Sequence, residues 1–323
     1  MSQNSEIPTP RYCIISPCRD EADYVKLTLD SVLSQSLTPA RWIIVDDGST
    51  DGTDAILTEY ERTHPCIKVI RRADRGRRQV GPGVVDAFYS GYDAAETDDF
   101  DYICKLDMDL DLPARYFEVL IGRMEENPRI GTCSGKPYFR SGDRLVSEAC
   151  GDENSVGMTK LFRLSCFRDI GGFVREVMWD GIDGHRCRLL GWIAVSWDEP
   201  ELRFEHLRVM GSSEKGIWTG RKRHGYGQWF MGTGLGYMIA GAVFRMTRHP
   251  LIVGGMAMLV GYLGAMLRRA PRYGDPEFRA FLRSYQWSCL LRGKRAATKR
   301  LNEARHRVWL ERQARIGANE HPQ

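Results

Sequence analysis

The chain has 323 residues, 42% hydrophobic and 27% charged, with a net charge of +4. This length holds one large α/β domain with an appendage, or two modest domains, and the charge is too small to single out nucleic acid as a partner; none is expected. Nine cysteines, an odd number with no C-x-x-C pair, argue against a disulfide framework or a zinc site and for a reducing compartment.

Residues 1–10 are polar, contain Pro8 and Pro10, and lack the basic start and apolar core of a signal peptide. They read as a disordered N-terminus, and the chain is expected in the cytoplasm. Tyr12 to Ser16 is an apolar run that breaks at Pro17, consistent with a strand. From Asp23 to Gln35, Val25, Leu29, Val32 and Leu33 recur at helical spacing. Trp42 to Val45 reads as a strand stopped by Asp46-Asp47-Gly48, Thr53 to Thr63 as a helix and Ile67 to Ile70 as a strand. Val84 to Ala95 then reads as a helix and Tyr102 to Leu106 as a strand. This alternation implies a mainly parallel sheet with helices on both faces, whose ligands bind beyond the carboxyl ends of the strands.

Both acidic clusters of the first third follow a strand directly. In IIVDDGSTDGT (Ile43 to Thr53), Asp46 and Asp47 enter a turn made of turn-forming residues. A carboxylate there accepts hydrogen bonds from a nucleoside base or ribose. Asp51 and Ser49 are better read as caps of the next helix, whereas two adjacent carboxylates at a strand end are costly without a partner. In KLDMDLDLP (Lys105 to Pro113), alternation puts Asp107, Asp109 and Asp111 on one side if the strand continues. Three like charges repel unless a cation sits among them. Mg²⁺ or Mn²⁺ suits such oxygen ligands and also clamps a diphosphate leaving group. A solvated acidic loop is the bland alternative.

Together these segments resemble glycosyltransferase family 2. The opening Ile15-Ser16-Pro17-Cys18-Arg19-Asp20-Glu21-Ala22 is similar to the family's Pro-x-x-Asn-Glu turn, with Asp20 where Asn is usual. Leu29, Ser31-Val32, Gln35 and Pro39, VDDGSTDGT, the D-x-D segment, Gly171-Gly172-Phe173 and WDGIDGHRCRLLGW (Trp179 to Trp192) extend the resemblance over residues 11 to 210. It implies a GT-A fold, with Pro17, Arg19, Glu21 and Asp46 or Asp47 on the nucleotide sugar. It also implies Asp107 and Asp109 around the metal and diphosphate.

Family members usually carry Glu-Asp about a dozen residues before a Gly that ends an Arg-containing helix. Counted back from Gly191, that pair falls on Trp179-Asp180, so the Glu is missing. Asp180 keeps the general-base position and Asp183 is its rival, since inverting displacement needs one carboxylate within reach of the acceptor hydroxyl. His206 is a candidate extra metal or diphosphate ligand, or a structural histidine. Arg208 is a candidate phosphate contact, or an ordinary ion pair. Arg78 closes a five-arginine stretch, Arg71 to Arg78, of a kind relatives place near the diphosphate; a solvated basic loop is the alternative. His224 is expected in a basic surface loop. The QxxRW motif of processive synthases is absent, which argues for single-sugar transfer. Gly81-x-Gly83 lacks the third glycine of a dinucleotide fingerprint.

Leu251 to Leu267 is seventeen uncharged residues. As a helix it is about 26 Å long, short of a bilayer core of about 30 Å. Arg245 and Arg248 precede it, and Arg268, Arg269 and Arg272 follow it. Charge on both sides suits an in-plane or re-entrant element, with a buried hairpin and a true span as alternatives. The basic stretch Arg292 to Arg315 is expected to be drawn to anionic lipid.

The expected organisation is therefore a GT-A α/β catalytic domain (11–210), a helical membrane-interacting region (211–291) and a basic C-terminal tail (292–323). The expected activity is inverting transfer from a nucleotide-diphospho-sugar, a UDP-sugar foremost, to an acceptor hydroxyl at the cytoplasmic face of a membrane. A role in cell-surface or extracellular polysaccharide synthesis fits, with a lipid-linked saccharide as acceptor. The rivals are a polyprenyl-phosphate glycosyltransferase and an inactive sugar-nucleotide-binding protein. A nucleotidyltransferase is disfavoured by the missing Gly-rich, Lys-bearing loop after Ile15.

Overall fold

The structure, a computed structural model, describes residues 10–76, 81–208, 216–247 and 251–320. Residues 1–9 of the expected disordered start, and Arg78 and Arg248, lie outside the described residues.

The first part alternates as expected: β1 (Tyr12–Cys18), α1 (Val25–Leu33), β2 (Arg41–Asp46), α2 (Thr53–Thr63), β3 (Ile67–Arg71), α3 (Pro82–Asp93) and β4 (Tyr102–Leu106). A short β5 (Leu110–Asp111) precedes α4 (Tyr116–Glu126), β6 (Ile130–Ser134), β7 (Lys136–Ser141), β8 (Arg144–Ser147) and β9 (Thr159–Arg163). Then come α5 (Leu164–Asp169), α6 (Trp179–Leu189), β10 (Ile193–Ser196) and β11 (Arg203–His206). The main sheet has the order β10-β6-β9-β4-β1-β2-β3. It is parallel across β4-β1-β2-β3, and β9 runs antiparallel between β4 and β6. Central strands covered on both faces carry continuous apolar runs, and accordingly Tyr12 to Ile15 and Trp42 to Val45 are fully buried between two cores. β1 extends past Pro17. Its pairing with β4 ends at Ile15 while that with β2 continues to Cys18, so the proline sits where the strand has one neighbour.

A second sheet, β5-β11-β7-β8, folds over the end of the first. Helices α7 (Gly216–Met231), α8 (Leu235–Met246), α9 (Val253–Leu267) and α10 (Pro276–Arg292) follow and pack on one another and, through α10, on α6. α7 and α9 touch backbone to backbone. A Cβ on Gly225 would stand 2.0 Å from the Met258 carbonyl oxygen, and one on Gly261 would stand 2.0 Å from that of Lys222. Only glycine permits this approach. Met231 on α7 and Phe278, Phe281 and Leu282 on α10 share a core with Ile182 and Leu189 on α6, tying the helices to the sheet. No helix among the described residues is long and apolar enough to cross a membrane. The spanning alternative for Leu251 to Leu267 thus falls, because one side of α9 (Ala257, Met258, Gly261, Tyr262, Ala265) is spent on protein packing.

The basic C-terminal stretch is helical, as α11 (Lys294–Ala304) and α12 (His306–Glu320), and returns to the sheet. Trp309 packs edge-on against Trp192 with ring centroids 6.0 Å apart, Arg312 pairs with Asp169, and Lys294 pairs with Glu153. None of the nine cysteines, all within the described residues, forms a disulfide.

Candidate active site

The carboxyl ends of β1, β2 and β4 open onto a cleft of about 730 Å³. Pro17, Arg19, Glu21, Asp47, Asp107, Asp109, Asp180, His206 and Arg208 line it. Asp46 and Asp183 do not.

At the β2 end the adjacent carboxylates part. Asp46 accepts from the Ser49 backbone N–H at 3.0 Å and from its hydroxyl at 2.6 Å, closing the turn from within. Asp47 faces the cleft, paired with Arg75 and, at 3.0 Å, with Arg72. Arg19 props this loop, donating to the Asp47 carbonyl at 2.7 Å and to Asp74 at 2.6 Å. Asp51 accepts from the Thr53 backbone N–H at 3.0 Å, which is the local capping role expected for it. Ser49 instead receives the Asp20 N–H at 3.0 Å.

The strand carrying Asp107 does not continue. It breaks after Leu106 and restarts as β5, where Asp111 lies exposed opposite Glu205 on β11. The expected row of three carboxylates is therefore two. Asp107 pairs with Lys105, whose ammonium also donates to the Gly157 carbonyl at 2.9 Å. Burial raises the Asp107 carboxyl and the Asp109 charge adds to it, against Lys105. Asp109 loses water too, but His206 and then Arg208 outweigh this and hold it low. β11 sets His206 beside Asp109, with Nε2 at 3.7 Å and Nδ1 3.1 Å from Glu148. Desolvation works against the imidazolium there, yet these two carboxylates prevail and push His206 up to about 9. Arg208 pairs with Glu21 and approaches Asp109 at 3.6 Å.

Asp109 Oδ1 is buried without a hydrogen-bond donor. Two neighbouring carboxylates, Asp107 half-buried and Asp109 buried with an orphaned oxygen, fit a hard divalent cation. Among the described residues no three His, Cys, Asp or Glu side chains converge into a finished cage.

Asp180 lies in the first turn of α6, exposed in the cleft. Asp183, one turn deeper, is 1% exposed and forms an ion pair with the fully buried Lys160 of β9. Burial pushes its carboxyl up to about 7 against the pull of Lys160. Removing one partner of a buried pair strands the other charge. Asp183→Ala is therefore expected to lower unfolding free energy by about 3–5 kcal/mol, and Lys160→Met with Asp183→Leu to recover most of it in denaturant titration.

Sequence reasoning missed four contributors. Lys105 was visible as the charge heading the acidic run. Glu148 carried no signal, because only the β7–β8 hairpin brings it to His206. Arg245 was read only as charge flanking the apolar run, and Arg221 only as part of the basic surface loop around His224. His224, expected on a surface loop, instead lies on α7 and lines the cleft.

These features define a class, an α/β protein with an acidic cleft suited to a cation at the carboxyl ends of its parallel strands. The family model described as glycosyl transferase family 2 matches residues 13–174, and the chain belongs to that family. A poly-beta-1,6-N-acetyl-D-glucosamine synthase of Staphylococcus epidermidis is 24% identical over 240 residues, covering 65% of this chain and 52% of the relative. The chain thus spans about half the length of the curated relatives it matches. Among solved structures, GalNAc-T7 with UDP, GalNAc and Mn²⁺ is similar in fold, with a TM-score of 0.55, 13% identity, and 86% of this chain and 56% of that one covered. The mannosyltransferase PcManGT from Pyrobaculum calidifontis, with GDP-Man and Mn²⁺, gives a TM-score of 0.49 at 18% identity over 93% of this chain and 87% of that one.

Proposed function

We propose that the chain is an inverting glycosyltransferase that takes a sugar from a nucleotide-diphospho-sugar, a UDP-sugar foremost, and places it on an acceptor hydroxyl. One observation carries this reading: Asp47, the Asp107–Asp109 pair with Arg208, and Asp180 all open onto a single cleft. Asp47 receives the nucleoside, and Arg208 with Lys105 balances phosphate charge. Asp180 accepts the hydroxyl proton as the acceptor oxygen bonds to the anomeric carbon and the bond to the nucleotide diphosphate breaks. Asp107 and Asp109 would hold Mg²⁺ or Mn²⁺, with His206 positioning Asp109 rather than serving as the expected ligand; the ion when bound neutralises charge on the departing diphosphate, and the fold neighbour GalNAc-T7 carries UDP and Mn²⁺. The polysaccharide-synthase relative supports a role in cell-surface or extracellular polysaccharide synthesis. The test is a panel of nucleotide sugars, titrated and assayed for turnover with and without metal. Metal-dependent binding of at least one UDP-sugar is expected. Binding of none, or affinity indifferent to metal, overturns the reading.

The enzyme is further proposed to work on an anionic bilayer, lying in its surface. α8 exposes Leu235, Ile239 and Val243; α9 exposes Val253, Met256, Val260, Leu263 and Leu267; and α10 exposes Trp287, Leu290 and Leu291. α8 packs against both of the other helices. Apolar surface on this scale marks an interaction face. From Lys215 to Gly274 the sequence holds nine Lys and Arg and no Asp or Glu, which selects an anionic partner. Wild type is expected to sediment with phosphatidylglycerol vesicles and to resist high salt, whereas Val260→Asp with Leu263→Asp is released. Equal recovery of both in the supernatant would refute attachment.

A further inference from the structure

Lys105 on β4 and Lys160 on β9 stand directly opposite each other across the antiparallel pair. Both are buried, and their ammoniums lie 5.4 and 5.7 Å from the ring centroid of Trp179. Three features make this arrangement unfavourable. Like charges directly opposite each other weaken a strand pair. A buried ion pair such as Lys160–Asp183 is often no more stable than an apolar pair of similar volume. A cation beside the first turn of a helix, here α6, opposes the helix dipole. Stability therefore gives no reason for an ammonium at residue 160, whereas its contacts do.

Lys160 donates to the Asp180 backbone carbonyl at 2.7 Å and pairs with Asp183 one turn further along α6. It thus fixes both ends of the turn that carries the candidate base. Lys105 reaches the same residue from the other side. It donates to the Gly157 carbonyl at 2.9 Å, and a Cβ on Gly157 would stand 3.0 Å from Asp180 Oδ2. Lys105 also pairs with Asp107. Trp179, beside both ammoniums, packs edge-on against Phe173 with ring centroids 4.7 Å apart. Met178, just before the helix, has a φ of 66°, a left-handed conformation that a non-glycine residue keeps only where its surroundings hold it. One cross-strand pair of lysines therefore ties the leaving-group carboxylates to the base. We propose that Lys160 is a positioning residue, with Asp183 as its counter-charge: it holds Asp180 in register with the Asp107–Asp109 site, so that acceptor oxygen and leaving group stand in line. This rests on the glycosyltransfer reading above. Lys160 lies behind the cleft and acts through the Asp180 backbone, and a strand holds such a group more precisely than a loop.

The test uses the full chain and the release of UDP from a panel of UDP-hexoses and UDP-N-acetylhexosamines, with water as acceptor. Lys160→Met with Asp183→Leu keeps the buried volume and is expected to retain the wild-type affinity for UDP. Its kcat is expected to fall about 10–100-fold at unchanged donor KM, because a misplacement of about 1 Å costs about 10²-fold. In an Asp180→Asn background the same double replacement is expected to cost nothing further, since the group that Lys160 aims is gone. A loss of equal factor in both backgrounds would show a merely structural role and overturn the proposal. UDP affinity falling in step with the rate also overturns it, placing Lys160 with the donor. Asp183→Asn leaves the Lys160 bond to the Asp180 carbonyl in place and decides the matter even if the double variant does not fold. Assayed below its melting temperature, it is expected to lose less than about threefold in kcat. A loss as large as that of Asp180→Asn would make Asp183 the base and overturn the proposal. Wild-type turnover in the double variant overturns this proposal alone. Release of UDP from no donor by wild type overturns the glycosyltransfer reading on which it stands.

Discussion

Asp180→Asn is expected to slow sugar transfer by on the order of 10²–10⁴-fold while leaving nucleotide-sugar affinity intact. The amide is nearly the same shape as the carboxylate but cannot take the acceptor proton. Asp180 is exposed in the cleft, and its backbone carbonyl rather than its carboxylate receives Lys160, so the substitution disturbs no internal ion pair. Thermal stability is therefore expected to stay at the wild-type value, in contrast with the Asp183 variants. The experiment is single-turnover transfer alongside calorimetric donor binding. A rate within threefold of wild type removes Asp180 from base catalysis and favours an acceptor that is already anionic at its attacking atom.

Asp109→Ala is expected to abolish turnover and to remove the gain in nucleotide affinity that Mn²⁺ produces. The side chain stands between His206 at 3.7 Å and Arg208 at 3.6 Å and offers a buried oxygen with no donor. On the proposed reading its loss takes away a cation ligand and leaves two neighbouring positive groups, His206 and Arg208, to face the diphosphate. Metal-free nucleotide binding should accordingly persist or tighten slightly while the metal-dependent increment disappears. Nucleotide titrations with and without Mn²⁺ measure both. An undiminished Mn²⁺ effect in this variant would place the ion elsewhere.

Much of the frame was legible in the chain. Apolar runs such as Trp42 to Val45, closed by Asp46-Asp47-Gly48, mark strands by composition and their ends by turn chemistry, and Thr53–Thr63 and Tyr102–Leu106 fall where periodicity places them. The capping role of Asp51 was legible for the same reason, since its partner Thr53 lies two residues away. Less legible was which of two nearby carboxylates serves the cleft. Asp46 and Asp47 look alike in the sequence. They separate because one is satisfied by Ser49 within its own turn and the other faces Arg72 and Arg75. Asp180 and Asp183 separate because Lys160, on a distant strand, claims the second.

The sequence by itself determined the strand–helix alternation, the acidic strand ends and the uncharged apolar run that becomes α9. Hydrogen-bond partners within a few residues and hydrophobic spacing set these, and both are written locally. Only the tertiary structure decided the rest of the site. The break after Leu106 swings Asp111 to a second sheet, and β11 carries His206 to Asp109 across nearly a hundred residues. Glycine contacts between α7 and α9 help turn arginines that read as surface charge into the wall of the cleft. Such juxtapositions depend on which faces bury against each other. That choice is made by packing the whole apolar surface at once, so no single segment encodes it.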